Sequence, residues 1–207
     1  MKSTRIIIFA KAPQAGLAKT RLIPALGAAG AAALARQMLL HTLQVALDSG
    51  VGTVELCVTP AIAAAAWHDI NLPHGILITE QGEGDLGERM ARAAQRAIQQ
   101  GEHVLLIGTD CVEMSAWLLH AAALALHDND AVIHCTADGG YALLGLRQFN
   151  PLLFADMPWS TDAVASHTLD RIGQLHWSVQ VGQMLHDVDE PQDLKFLPEN
   201  WGVHGVV

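Results

Sequence analysis

RIIIFAKAPQAGLAKTRLIP, residues Arg5–Pro24, joins a short apolar run to a loop carrying three cations. Ile6, Ile7, Ile8 and Phe9 form a β-prone run too short for a helix, so Arg5–Ala10 reads as a buried strand. The loop that follows places Lys11, Lys19 and Arg21 around Gly16, between Pro13 and Pro24. Three positive charges on a loop at a strand's carboxyl end fit an anion, above all a phosphate chain, because ammonium, guanidinium and loop N–H groups all complement its oxygens. The competing reading is a solvated surface loop.

Working outward, strand-like and helix-like segments alternate. Helical spacing runs over 28–49 and 85–100, with shorter helices over 61–68, 115–127 and 161–172, the 115–127 helix capped by Ser115. Strands are predicted over 53–58, 75–79, 103–107, 131–135 and 141–146, the last two as a hairpin. This alternation predicts an α/β fold: a three-layer α/β/α sandwich around a mainly parallel mixed sheet, with 1–207 as a single domain. In such sheets ligands bind beyond the carboxyl ends of the strands, where strand order switches.

Composition narrows the function. The net charge of −9 argues against a nucleic-acid binder, which needs a cationic face, and it sets the basic loop apart, since the chain has only twelve Lys and Arg. Three cysteines without CxxC spacing fit a reducing, cytoplasmic setting, with Cys57 and Cys135 as small core residues. No signal peptide is read at the start, and no stretch is taken as a membrane span, the alanine-rich 25–35 being interrupted by Arg36, Gln37 and His41. Eleven histidines offer no metal-binding spacing.

Polar residues after the apolar runs are the candidates for chemistry. Asp110 follows HVLLIGT and projects at a strand's carboxyl edge, though such a carboxylate also serves as a helix cap. In HDVDEPQDL, Asp187 and Asp189 share one side of an extended segment. Hard oxygen ligands near a phosphate loop match the way Mg²⁺ or Mn²⁺ is held beside a nucleoside diphosphate. In TADGGYALLGL, Asp138, Gly139 and Gly140 make a turn before Tyr141, an ordinary hairpin or a substrate approach with Asp138 as contact or base. In MPWSTDAV, Ser160 or Thr161 caps a helix whose amides suit an anion, and Trp159 is core or a stacking surface. GEGDLG, residues 82–87, also satisfies the dinucleotide fingerprint and keeps an NAD-binding oxidoreductase in view.

FAKAPQAGLAKTRLIP, QGEGDLGERM, GTDC, ADGGYALLGL, WST and DVDEPQDL occur here in the order found in bacterial arsenosugar-biosynthesis-type glycosyltransferases, and the chain resembles that family from about residue 5 to 195. More distantly it is similar to phospholactate and molybdenum-cofactor guanylyltransferases. The resemblance implies the GT-A nucleotide-diphospho-sugar transferase fold, with Lys11, Gly16, Lys19 and Arg21 over the nucleotide phosphates, Lys19 and Arg21 serving catalysis with Asp138. It implies Gln81, Leu86, Gly87 and Arg89 beside base and ribose, and a metal at Asp110 and Asp187 with Asp189 behind. Gly139, Gly140, Tyr141, Trp159, Ser160 and Thr161 would line the acceptor or sugar side. Val112 departs from the proline usual after GTDC in that family. The implied activity is metal-dependent glycosyl transfer from a nucleoside-diphosphate sugar to a small acceptor. The alternative is nucleotidyl transfer from a triphosphate to a phosphorylated small molecule, with pyrophosphate released.

Overall fold

The computed structural model describes residues 3–201. Its centre is a seven-stranded sheet in the order β3-β2-β1-β4-β6-β5-β7. The strands are β1 (Thr4–Lys11), β2 (Val54–Thr59), β3 (Leu77–Glu80), β4 (His103–Ile107), β5 (Ala131–Cys135), β6 (Tyr141–Leu146) and β7 (Val179–Val181). All pairings are parallel except those of β6, which runs antiparallel to both β4 and β5. Both sheet faces are covered, so the central strands are apolar without alternation: Ile6, Ile7 and Ile8 are all fully buried.

Four helices supply the cover: α1 (Ile23–Asp48), α2 (Leu86–Gln99), α3 (Ala116–Ala125) and α4 (Val164–Gln174). Leu39 and Leu43 of α1 and Leu118 and Leu119 of α3 pack with Ile6, Ile8 and Leu105 on one face. Met90, Ala93 and Ala97 of α2 and Ile172 of α4 pack with Ile7, Leu106 and Ile133 on the other. The expected α/β/α sandwich and mainly parallel mixed sheet are present. A third cluster, Leu22, Leu34, Met38, Val112, Val188 and Leu194, ties α1 to the segment after β7.

Local chemistry sets the helix boundaries. Asp85 accepts a hydrogen bond from the Glu88 amide at 2.8 Å while Glu88 accepts from the Asp85 amide at 2.9 Å, a reciprocal cap that starts α2. Gly27, at φ 69° and ψ 165°, breaks α1 after its first turn, so the regular helix resumes where the sequence spacing begins it, at 28. Thr20–Asp48 is long and apolar enough, by length and composition, to cross a membrane; here it is broken at Gly27 and lays Leu39 and Leu43 on the sheet.

Two expectations change, and one strand is added. The helix over 61–68 shrinks to a single 3-10 turn, Ala65–Trp67, since nothing but Trp67 in that alanine-rich run is buried deeply enough to hold a longer element. β7 escapes a pattern search because its three residues form a half-exposed edge. The helix expected from Thr161 begins at Val164: Thr161 Oγ1 accepts from the Ala163 amide at 3.3 Å and donates to the Pro158 carbonyl at 2.7 Å, closing a turn before the helix.

Candidate active site

β2 and β3 lie on one side of β1, and the chain then crosses to set β4 on the other. That switch in strand order opens a crevice beyond the carboxyl ends of β1 and β4. A cleft of about 820 Å³ occupies it, and residues from the β1–α1 loop, the β4–α3 loop, the β5–β6 turn, the loop before α4 and the segment 187–189 all line it.

The distant acidic segment reaches the cleft through backbone hydrogen bonds. Leu185 N donates to the Cys135 carbonyl at 2.9 Å, Ala137 N to the Leu185 carbonyl at 3.0 Å, and Val188 N to the Asp110 carbonyl at 2.9 Å. The chain after β7 is thereby laid across the ends of β5 and β4, with Val188 fully buried between Asp187 and Asp189. Alternation then sends both aspartates into the cleft.

Lys19 is the pivot. Its backbone is left-handed, φ 47° and ψ 47°, and its side chain is only 7% exposed. The ammonium pairs with Asp110 Oδ1 and donates to Asp189 Oδ1 at 2.8 Å. Burial opposes its charge, yet Asp110 and Asp189 outweigh that and hold its pKa above the ordinary lysine value. Arg21 stands 65% exposed, 3.9 Å from Asp189 Oδ2, with its guanidinium largely free for a ligand. Lys11, at the end of β1, donates to the Leu17 carbonyl at 3.0 Å and folds the loop on itself.

Asp187 carries the largest carboxylate shift. Burial first, then repulsion from Asp110, Asp138 and Asp189, pushes it up to about 7, and Lys19 offsets this only in part. Lys19 is paired with Asp110 and Asp189 and offsets only part of the repulsion at Asp187, so the carboxylates around it outnumber the one buried ammonium. An all-oxygen, negatively overcharged donor set has the chemistry of a Mg²⁺ or Mn²⁺ site. Among the described residues no group of three or more His, Cys, Asp or Glu is arranged so that it could hold a metal ion. Lys19 contacts one oxygen each of Asp110 and Asp189.

On the other side of the cleft, Asp138 Oδ1 accepts from the Thr136 hydroxyl at 2.5 Å and the Gly140 amide at 3.1 Å, fixing the turn into β6. Leu86, Met90, Tyr141 and Trp159 line the wall beside it, the Tyr141 hydroxyl reaching Met90 Sδ at 3.9 Å and its pKa driven up by burial.

Most residues expected at the site line this cleft, among them Lys11, Lys19, Arg21, Gln81, Leu86, Asp110, Asp138, Gly140, Tyr141, Trp159, Ser160, Thr161, Asp187 and Asp189. Four that were expected there do not line it, and each has a local task. Gly16 makes the loop turn at φ 78°. A Cβ on Gly87 would come 2.4 Å from the Phe154 carbonyl oxygen, so the glycine lets α2 abut that loop. Arg89 donates from Nε to the Gly84 carbonyl at 2.8 Å. Gly139, at φ 91°, passes so close to Asp162 that a Cβ would lie 2.1 Å from its carbonyl oxygen. Gln81 is buried, its amide nitrogen donating to the carbonyls of Ala10 and Cys57 at 3.2 and 3.0 Å, which pins β3 beside β1 and β2. The sequence reading missed Met90 and Asp162 as cleft residues; Met90 lies one turn beyond Leu86 and Asp162 directly follows WST, so both were within reach of spacing.

The dinucleotide reading of GEGDLG loses its footing. The loop follows β3, at the edge of the sheet, and the Glu88 carboxylate already accepts from the Asp85 amide at 2.9 Å, putting negative charge at the helix start that the dinucleotide reading needs for a pyrophosphate.

Residues 42–161 match the family described as an uncharacterized protein conserved in bacteria, DUF2064. The chain belongs to this family. No curated protein matches it. A crystal structure from Desulfovibrio desulfuricans G20, provisionally called a nucleotide-diphospho-sugar transferase, is 30% identical with a TM-score of 0.88, over 97% of this chain and 88% of that one. CMP:2-keto-3-deoxy-manno-octonic acid synthetase in complex with CTP is 12% identical with a TM-score of 0.58, covering 94% and 96%. Rv0371c of Mycobacterium tuberculosis H37Rv in complex with manganese is 18% identical with a TM-score of 0.51, covering 95% and 98%. The fold of this DUF2064 member is therefore that of the nucleotide-diphospho-sugar transferases, which in the distant pairs is a likeness of fold alone.

Proposed function

We propose that this DUF2064 chain is a divalent-metal-dependent glycosyltransferase that moves a sugar from a nucleoside diphosphate to a small acceptor. One observation carries the reading: Lys19 and Arg21 from the β1–α1 loop meet Asp110, Asp187 and Asp189 in one cleft at the switch point of the sheet. Cations alone would make an anion site and carboxylates alone a cation site; together they suit a metal-bound diphosphate. The motif resemblance to arsenosugar-biosynthesis-type glycosyltransferases and the likeness to the Desulfovibrio protein support the same class.

Asp110 and Asp187, with Asp189 behind, would hold Mg²⁺ or Mn²⁺, which when bound neutralises charge on the leaving diphosphate. Lys19 and Arg21 bind the phosphate oxygens, Lys19 exchanging a carboxylate partner for phosphate. The acceptor oxygen bonds to the anomeric carbon, the bond from that carbon to the diphosphate oxygen breaks, and its electron pair leaves on the diphosphate. The acceptor proton passes to the free oxygen of Asp138, whose other oxygen is held by Thr136 and Gly140. Arg21 and the buried Lys19 stabilise the departing charge.

A second reading, nucleotidyl transfer with release of pyrophosphate, uses the same cleft, and the fold likeness to the CTP-bound synthetase favours it. Incubation of the chain and Mn²⁺ with a panel of nucleotide sugars, and separately with nucleoside triphosphates, tests both. Release of nucleoside diphosphate from a sugar donor is expected. Pyrophosphate from triphosphates, with no nucleotide sugar consumed, would overturn the first reading.

A further inference from the structure

The two sides of the cleft differ in charge, and the difference bears on what the acceptor is. Every Lys and Arg among the described residues lining it comes from one stretch of chain, Lys11 at the end of β1 and Lys19 and Arg21 between β1 and α1. Lys19 turns to Asp110 and Asp189 and leads into the packed cluster that joins α1 to the segment after β7. The opposite wall belongs to the α2 and α4 face of the sheet: Met90 lies in that core, and Tyr141 and Trp159 pack against it. Leu86, which is 42% exposed at the start of α2, extends this apolar surface toward solvent. The acidic side chains that this side presents to the cleft are Asp138 and Asp162. Arg89 on α2 donates to the Gly84 carbonyl at 2.8 Å and to Gln81 Oε1 at 3.5 Å and does not itself line the cleft.

We infer that the acceptor is an uncharged or positively charged hydroxyl compound, its apolar body against Leu86, Met90, Tyr141 and Trp159, and not a phosphorylated or carboxylated one. An anionic acceptor would leave its charge unpaired among carboxylates, whereas a hydroxyl on an apolar or cationic body meets Asp138 without that penalty. Aromatic rings at Tyr141 and Trp159, both lining the cleft, add to the attraction for a cation. This inference rests on the glycosyl-transfer reading, and it weakens the second reading, which requires a phosphorylated acceptor.

Three probes on one skeleton test it: benzyl alcohol, 4-(aminomethyl)benzyl alcohol and 4-(hydroxymethyl)benzoate. They are titrated into the full chain with Mn²⁺ and pyrophosphate filling the cationic end. The readout is the Trp159 indole N–H resonance, assigned with Trp159→Phe, so binding elsewhere does not count. The neutral and cationic probes should shift it, with the benzoate weaker by about tenfold or more. Leu86→Arg should raise the benzoate's affinity toward that of the others. A benzoate that binds as well as or better than its partners, or no shift from any probe, would overturn the inference. The ranking needs no turnover: a chain that consumes only triphosphates would sink the transfer reading alone, and a reversed ranking beside active sugar transfer would sink only this one.

Discussion

Replacing Asp187 by asparagine should stabilise the metal-free protein at pH 8 while abolishing its response to metal. The buried carboxylate has a pKa near 7 where an ordinary aspartate has 3.8, because burial and three neighbouring carboxylates penalise its charge. The native state therefore holds that proton more tightly than the unfolded chain. Stability falls as pH rises from about 4 to about 7, and the whole penalty is present above 7. At 1.36 kcal/mol per pH unit the gap corresponds to about 4 kcal/mol. Water in an open cleft screens part of it, which leaves about 2 kcal/mol as the expected gain. For a chain of this size that is roughly a 4–8 °C rise in melting temperature. Asparagine keeps the shape and lacks the charge, so the variant's advantage should vanish near pH 4. Mn²⁺ should raise the melting temperature of the wild type at pH 8 and leave Asp187→Asn almost unmoved. Thermal unfolding at pH 4, 6 and 8, with EDTA or with Mn²⁺, checks each part. A variant less stable than the wild type at pH 8, or a difference independent of pH, would refute the claim that Asp187 sits in uncompensated negative charge.

Lys19→Met should cost little stability, about 1 kcal/mol or less, since Asp110 and Asp189 are 45% and 42% exposed and regain water, whereas calorimetry should show Mn²⁺-dependent binding of pyrophosphate weakened by at least about tenfold. Gly139→Ala places a Cβ against the Asp162 backbone at a positive φ, so urea unfolding should show a loss of about 3 kcal/mol, accompanied by weaker ligand binding as the turn at Asp138 shifts. Glu55 is fully buried at the far end of the cleft's strands, paired with Arg5 at 3.0 Å and with Arg96, and it accepts from Thr79 at 2.6 Å. Glu55→Gln should therefore destabilise by about 3 kcal/mol in urea titrations while the folded protein binds pyrophosphate with unchanged affinity; an affinity loss would mean the network reaches the site.

The sequence alone determined the elements whose signal is local. RIIIFAK and HVLLI are apolar runs of β-prone residues too short for a helix, as a strand buried on both faces uses, so β1 and β4 were legible along with the parallel α/β plan that they imply. Asp85 and Glu88 spell out the start of α2 through their own side chains. The candidate site was legible where a polar residue ends an apolar strand, as at Lys11 and Asp110, since strand ends in such a sheet face the ligand. Local signals fail where packing decides. The run 61–68 has helical composition but buries only Trp67, so it stays a turn. β7 exists because β5 offers it an edge, which three residues of sequence do not reveal.

Only the tertiary structure decided who meets whom. Lys19 and Asp189 stand 170 residues apart, and the hydrogen bond from Val188 to the Asp110 carbonyl brings them to one place. The division of the cleft into a charged side and an apolar side follows from which sheet face each helix covers. A residue's charge is written in its own letter, but its pKa and its partners depend on distances to groups far along the chain, and those distances exist only once the sheet has formed.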